Sequence, residues 1–263
     1  MIRSHDMLVQ DQFDPRAESY VQSAVHAAGD DLDALEAVVQ REQPRRAIDL
    51  GAGGGHVAYR LAAHAGSVMA VDLSAAMMAA VEETARARGL SNIETCITPV
   101  ERIPVEDASF DFLACRFSAH HWRNFEAGLL QARRILKPGS TAVFIDVVSP
   151  GYAAFDTHLQ AVELLRDPSH VRNFTGAEWE AALARVGFRV RQTQFRRLRL
   201  DYATWVDRMR TPEPHREAIR SLQGSASAET AAYYAIEPDG SFSVDTLQIE
   251  ATACRARCKP LSP

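Results

Sequence analysis

The chain has 263 residues, 46% hydrophobic and 24% charged, with a formal net charge of -5. That mixture describes an ordinary globular chain of one large domain, or one domain with a lid. The acidic balance counts against nucleic acid or an anionic membrane surface as a partner, because both demand concentrated Lys and Arg. No apolar run reaches the ~20 residues of a membrane span, and no secretory pattern opens the chain. The four cysteines (Cys96, Cys115, Cys254 and Cys258) are scattered and lack doubled metal-site spacing, so they read as reduced thiols of a cytoplasmic protein.

Residues 1–12 are polar and read as loose, and a helical pattern covers 13–40, ending before Pro44. A strand–helix rhythm then begins. Strands are predicted at 46–50, 67–72, 92–98, 110–115 and 141–148. Helices are predicted at 57–65, from a Ser74 cap to Arg88, and at 125–136, with a turn at Lys137–Gly139. Most of these strands are near-continuously apolar, as parallel strands covered on both faces are. The expected fold is α/β: a Rossmann-like, doubly wound sheet with helices on both faces.

After Val148 the rhythm changes. Residues 149–173 read as a helix with irregular flanks. Thr175 and Glu178 form a capping box, and Gly187 ends that helix. Residues 188–195 alternate as a sixth strand, and 245–255 form a last one. The long stretch 201–241, with helical pieces at 205–210, 216–222 and 228–235, is too long for a turn and reads as a lid or binding wall. So 1–148 form a cofactor-binding core with an N-terminal helical cover. Residues 149–263 complete the same domain, with lid segments near 149–174 and 201–241. The basic run at 196–200 reads as a solvated strand edge.

Ligands of such sheets bind beyond the carboxyl ends of the strands, at the switch point. That gathers 49–55, Asp72, 98–101 and 115–121 into one site. The loop after the first strand reads AIDLGAGGGH, with Asp49, Gly51, Gly53 and Gly55 at alternate positions. A dinucleotide fingerprint places glycine where His56 stands, and no GK[ST] follows for a phosphate loop. A carboxylate at 49 repels a pyrophosphate and suits an ammonium group. Asp72, ending the second strand, suits two ribose hydroxyls. The ligand therefore carries a ribose and a cationic part. An NAD(P)-dependent oxidoreductase is the disfavoured alternative, and a protein that binds the same ligand without catalysis is the other.

Four segments carry a resemblance: AIDLGAGGG, AVDLS, IPVEDASFDFLACRFSAHHW and RRILKPGSTAVFID. Over roughly 13–195 the chain resembles the class I S-adenosylmethionine-dependent methyltransferases, in the small-molecule branch containing ubiquinone/menaquinone-biosynthesis C-methyltransferases. The resemblance implies a seven-stranded sheet whose last strand is antiparallel. It also implies methyl transfer from S-adenosylmethionine to a small acceptor, giving S-adenosylhomocysteine, with no metal. Gly51, Ala52, Gly53 and Gly55 would line the methionine portion, with Asp49 near its ammonium and Asp72 on the ribose. Leu73 and Met77 would flank the adenosine, and Val100 and Glu101 border the adenine. Cys115 and Arg116 would meet the cofactor amine through their carbonyls, and Tyr20 would reach the cofactor carboxylate from the N-terminal helix. Many members carry Asp where this chain has Pro99, so adenine recognition falls to backbone groups or Glu101.

His120 and His121, just past the fourth strand, are the candidates for a general base, since histidine titrates near neutral pH. Adjacent side chains diverge, so one of the two is expected to face the acceptor. Asp146 inside the fifth strand needs a partner if buried, expected in a neighbouring loop. Trp205, Tyr233 and Tyr234 are the aromatics expected to line an acceptor pocket.

Overall fold

The structure, a computed structural model, describes residues 3–17 and 29–254. Tyr20, and with it the expected contact to the cofactor carboxylate, lies outside the described residues.

Strands β1 (Arg46–Leu50), β2 (Ser67–Asp72), β3 (Ile93–Ile97), β4 (Phe110–Arg116) and β5 (Leu136–Val148) are parallel to one another. Strands β6 (Phe188–Leu200) and β7 (Phe242–Ala253) complete a seven-stranded sheet in the order β3-β2-β1-β4-β5-β7-β6. β7 runs antiparallel to both β5 and β6. The doubly wound sheet with an antiparallel last strand is as the sequence leads one to expect. Its switch point lies at β1, where the chain builds outward first through β2 and β3 and then through β4 and β5.

The strands are apolar on both faces because helices cover both. Ala47, Val68, Phe112 and Val143 pack against α2 (Asp30–Glu42), α3 (His56–Ala62) and α4 (Ala75–Ala87). Ile48, Leu50, Leu113 and Phe144 point the other way, toward α5 (Phe125–Ile135) and α7 (Gly176–Val186). The local signals behave as their chemistry demands. Ser74 accepts the Met77 N–H and starts α4. Thr175 and Glu178 close both bonds of the capping box, and Gly187 ends α7 at φ 95°. A third apolar cluster joins α6 (Ala153–Arg166), α8 (Tyr202–Arg208), α9 (Glu213–Gly224) and α10 (Ala228–Tyr234) to the ends of β6 and β7. Both segments expected to form a lid thus share one packing unit beside the sheet.

Several expectations are corrected. Within the segment expected to be loose, the described residues form α1 (His5–Phe13), which starts on a Ser4 cap. Its sequence gives one buried apolar side chain, Val9, so the helix is held by polar bonds to distant elements rather than by an apolar stripe. Of the helix expected over 13–40, the described residues show a 3₁₀ turn at Asp14–Arg16 and α2, while residues 18–28 lie outside the described residues. The Lys137–Gly139 turn sits inside β5. Pairing jumps from Phe110↔Leu136 to Phe112↔Thr141, so the extra residues bulge out of the ladder, with Gly139 at φ 91°. β6 continues past Phe195 to Leu200 because β7, beginning already at Phe242, pairs with it throughout. The basic run lies on this edge strand, as expected.

Candidate active site

The loop from β1 to α3 turns at the carboxyl end of the sheet, where the Gly51 and Ala52 N–H groups both donate to Val71 O at 2.8 and 2.9 Å. The glycines serve different purposes. Gly51 (φ 69°) presses against Ser118, whose Oγ lies 1.8 Å from where a Cβ would stand. Gly53 (φ 50°) has nothing within 4 Å of that point. Gly53 therefore presents bare backbone to open space, as a loop that cradles a ligand does.

Asp49 is 1% exposed, and its Oδ2 accepts the Ala58 N–H at 3.0 Å, satisfying one free donor of the first turn of α3. Burial pushes its carboxyl up to about 7; the Ala58 N–H opposes the shift, the Asp72 charge adds to it and Arg116 opposes it. The Asp72 carboxylate accepts the Gly53 N–H on Oδ2 (2.8 Å) and the Ser74 N–H on Oδ1 (2.9 Å). Burial raises its pKa as well, offset in part by those N–H donors. Two carboxylates at one cleft, both strained toward the neutral form, match a ligand that brings a positive charge and hydroxyl donors.

A cleft with about 990 Å³ of empty space, partly open to solvent, lies over these groups. Asp49, Gly51, Ala52, Gly53, Asp72, Leu73, Met77, Val100, Glu101, Arg116 and His121 all line it. Gly55, Cys115 and His120 do not. Gly55 packs against Tyr59 and Val81. Cys115 is a core residue, 1% exposed, and burial drives its thiol well above the usual range. Glu101 lines the cleft, but its Oε1 accepts the Asn124 N–H at 3.0 Å and so helps start α5.

Sequence reasoning missed the roof. α1 closes the cleft with His5, Asp6, Val9 and Phe13. His5 Nε2 donates to His121 O (2.8 Å), Gln10 Nε2 to Leu73 O (3.2 Å), and Ser74 Oγ to Asp14 Oδ1. These bonds span 60 to 116 residues of chain, and only the polar residue at position 4, a helix-cap type, marked the start of α1. Ser118, within the predicted 115–121 segment, and Trp122 just after it also line the cleft, joined by Trp122 Nε1–H to Ser118 Oγ (3.2 Å).

A second chamber adjoins the cleft, with about 1950 Å³ of empty space partly open to solvent. Phe13, Arg116, Phe117 and His121 line both. Phe117 takes φ 50°, uncommon for a bulky side chain, while its N–H extends the ladder to Ile145 O at 2.8 Å. Trp205 lines this chamber, as expected. Tyr233 and Tyr234 do not. Tyr234 is core, with its hydroxyl donated to Phe155 O (2.9 Å), and Tyr233 donates to Asp245 at the outer face. Both lie on α10, whose apolar side the third cluster takes up.

The two candidate histidines part here. Asp146 does find its partner in the neighbouring loop: Oδ1 accepts His120 Nδ1 at 2.6 Å, and Oδ2 accepts the His120 N–H at 3.3 Å. Burial works against the imidazolium of His120, but Asp146, with Glu163 and Asp167 behind it, outweighs burial and raises its pKa. His121 Nδ1 lies 3.2 Å from Ser169 O, and its Nε2 lies 3.9 Å from Asp167 Oδ2. Burial and the charge on His120 push its pKa down to about 4, which leaves it neutral.

A methyltransferase domain family matches residues 48–144 of the chain. YafE, an uncharacterised protein of Escherichia coli (strain K12), is 42% identical over 197 residues, covering 75% of this chain and 95% of YafE. YcgJ, an uncharacterised methyltransferase of Bacillus subtilis, is 29% identical over 217 residues, 82% of this chain and 86% of its own. Its crystal structure superposes with a TM-score of 0.82 over 86% of this chain and 99% of that one. The ubiquinone/menaquinone biosynthesis C-methyltransferase UbiE of Rubrivivax gelatinosus is 32% identical over 105 residues, 40% of each chain.

Proposed function

The chain belongs to the class I S-adenosylmethionine-dependent methyltransferases, and from that premise we propose that its cleft binds S-adenosylmethionine and that the protein methylates a small-molecule acceptor. The observation that carries this reading is the pair of buried carboxylates around the bare backbone of Gly53. Asp72 meets the ribose hydroxyls with oxygens already aligned by the Gly53 and Ser74 N–H groups. Asp49 faces the ammonium. The backbone of Ala52 and Gly53 borders the methionine portion, Arg116 the cofactor amine, and Leu73, Met77 and Val100 give apolar walls for the adenosine. With the Glu101 carboxylate committed to Asn124, the adenine edge falls to backbone groups after β3. The α1 roof covers part of the cleft and so limits its contact with water. The bound sulfonium methyl is already activated, so the chemistry it supplies is an in-line displacement that needs positioning above all.

The UbiE relative is named for ubiquinone/menaquinone biosynthesis, but the match spans only 105 residues, 40% of each chain. The acceptor is therefore argued from the second chamber. Calorimetric titration tests the cofactor reading. S-adenosylhomocysteine is expected to bind and NAD(H) not to. Tight NAD(H) binding without S-adenosylhomocysteine binding overturns it.

Asp49 adds a pH signature. Its folded pKa of about 7 lies above the ordinary carboxylate value, so the folded protein holds a proton that the unfolded chain has lost. Its contribution to stability is present below the unfolded pKa and is lost as pH rises toward 7. Binding an ammonium group favours the ionised form. S-adenosylhomocysteine affinity should therefore tighten by about tenfold from pH 6 to pH 8. Asp49→Asn should flatten that dependence in calorimetry, and an equally steep profile in the variant would remove Asp49 from contact with the ammonium.

A further inference from the structure

Among the described residues, His120 Nε2 makes no hydrogen bond, and it is not one of the sealed, unpartnered buried atoms. His120 lines the second chamber and not the cofactor cleft. The 2.6 Å bond from Nδ1–H to Asp146 fixes the tautomer, so the free lone pair sits on Nε2. A carboxylate on one ring nitrogen and an open chamber on the other is the arrangement of an oriented general base. His121 is turned away from that task. Ser169 donates its hydroxyl to Asp167 (2.6 Å), so its oxygens accept the His121 Nδ1–H, and His121 Nε2 faces Asp167.

The chamber also states what kind of acceptor it fits. Arg196, on β6, lines it with its guanidinium bonded to the side-chain oxygens of Gln248 (3.1 Å) and Gln194 (2.7 Å). Among the described residues it pairs with no carboxylate. An acceptor that turns anionic on losing its proton meets that cation, whereas an ammonium that turns neutral gains nothing from it.

Resting on the methyl-transfer reading above, we propose that the second chamber is the acceptor site, that His120 is the general base, and that the acceptor carries a weakly acidic hydroxyl, as a phenol or an enol does. Asp146 is its positioning residue. In the step, the acceptor O–H bond breaks and the proton binds His120 Nε2. The electron pair left on the acceptor, on oxygen or on the conjugated carbon, forms the bond to the methyl carbon. That carbon's bond to sulfur breaks with the pair staying on sulfur. The proton then leaves His120 for water. The charged and titratable groups around His120 are Asp146 from β5, Glu163 from α6 with Arg166 3.7 Å from its carboxylate, Asp167 and His170 from the loop after α6, and the adjacent His121. Three carboxylates among them favour the imidazolium. Turnover should therefore rise with pH through a value above the ordinary histidine range, and Asp146→Asn should move that rise to lower pH.

The test uses the full chain with deuterated-methyl S-adenosylmethionine and three probes, with product masses as the readout. 1-Naphthol and acetylacetone are weakly acidic; 2-hydroxy-1,4-naphthoquinone is already ionised at neutral pH. Wild type is expected to methylate them. His120→Asn should lose about a hundredfold or more in kcat on 1-naphthol, the range of general-base catalysis, and far less on the ionised probe. S-adenosylhomocysteine affinity, measured on the same samples, should stay within about twofold, because His120 does not line that cleft. The proposal is overturned if His120→Asn keeps turnover of 1-naphthol or loses all probes equally, or if Asp146→Asn leaves the pH profile in place. Transfer only to thiols or amines also overturns it, as does no transfer to any hydroxyl probe by a wild type that binds S-adenosylhomocysteine. A wild type that does not bind S-adenosylhomocysteine overturns the cofactor reading instead.

Discussion

Asp72→Ala should weaken S-adenosylhomocysteine binding by more than about tenfold, since each charged hydrogen bond lost is worth about 1.5–3 kcal/mol and about 1.4 kcal/mol is a factor of ten. Both oxygens are held in place before any ligand arrives, by the Gly53 N–H at 2.8 Å and the Ser74 N–H at 2.9 Å. That preorganisation means little ordering cost falls on binding. The same bonds make Asp72 structural too, so the alanine variant should also melt earlier, with two donors left unsatisfied. Asp72→Asn separates the two effects. It keeps the side-chain shape and one acceptor oxygen, and should fall between wild type and alanine in affinity with a smaller change in melting temperature. Unchanged affinity in a folded Asp72→Ala would take Asp72 out of the ribose site.

Gly51→Ala is the substitution expected to harm the fold most for its size. At φ 69° an alanine pays the left-handed penalty of about 1–2 kcal/mol. Its Cβ would stand 1.8 Å from Ser118 Oγ and 2.5 Å from Ser118 Cβ, and overpacking of that kind costs about 1–3 kcal/mol more. The sum, roughly 2–5 kcal/mol, is a large part of a typical domain's stability. Ser118 must move, and with it the Trp122 indole that lines the cleft. The clash is specific, so Gly51→Ala/Ser118→Gly should recover the overpacking part and leave the backbone part. A double-mutant cycle by denaturant unfolding should show a coupling of about 1–3 kcal/mol. Additive losses would mean that the two side chains do not meet. Gly53→Ala is the control: it carries the left-handed strain at φ 50° with nothing within 4 Å to strike, so its stability loss should be the smaller one.

The sheet was legible because its strands are short apolar runs punctuated by Gly, Pro and capping residues, and each signal is local. Strand ends moved where pairing with a distant strand decided them. β6 extends to Leu200 through its ladder with β7, which no window around 196–200 contains. α1 was illegible for a related reason. Val9 is its one buried apolar residue, and its anchors are Leu73 O and His121 O. The lid aromatics were named by type alone, and only packing separates Trp205, facing the chamber, from Tyr234, locked into the core.

By itself the sequence determined the family and named residues that line one cleft. Asp49, Gly51, Gly53 and Asp72 fall within one strand–helix–strand unit, and their spacing along that unit carries the chemistry. The tertiary structure decided the second chamber and the surroundings of the two histidines. His120 meets Asp146 across 26 residues, and His121 meets Ser169 across 48. Two adjacent, identical side chains cannot be told apart by spacing. They differ only in which carboxylate and which chamber the folded chain sets beside each ring.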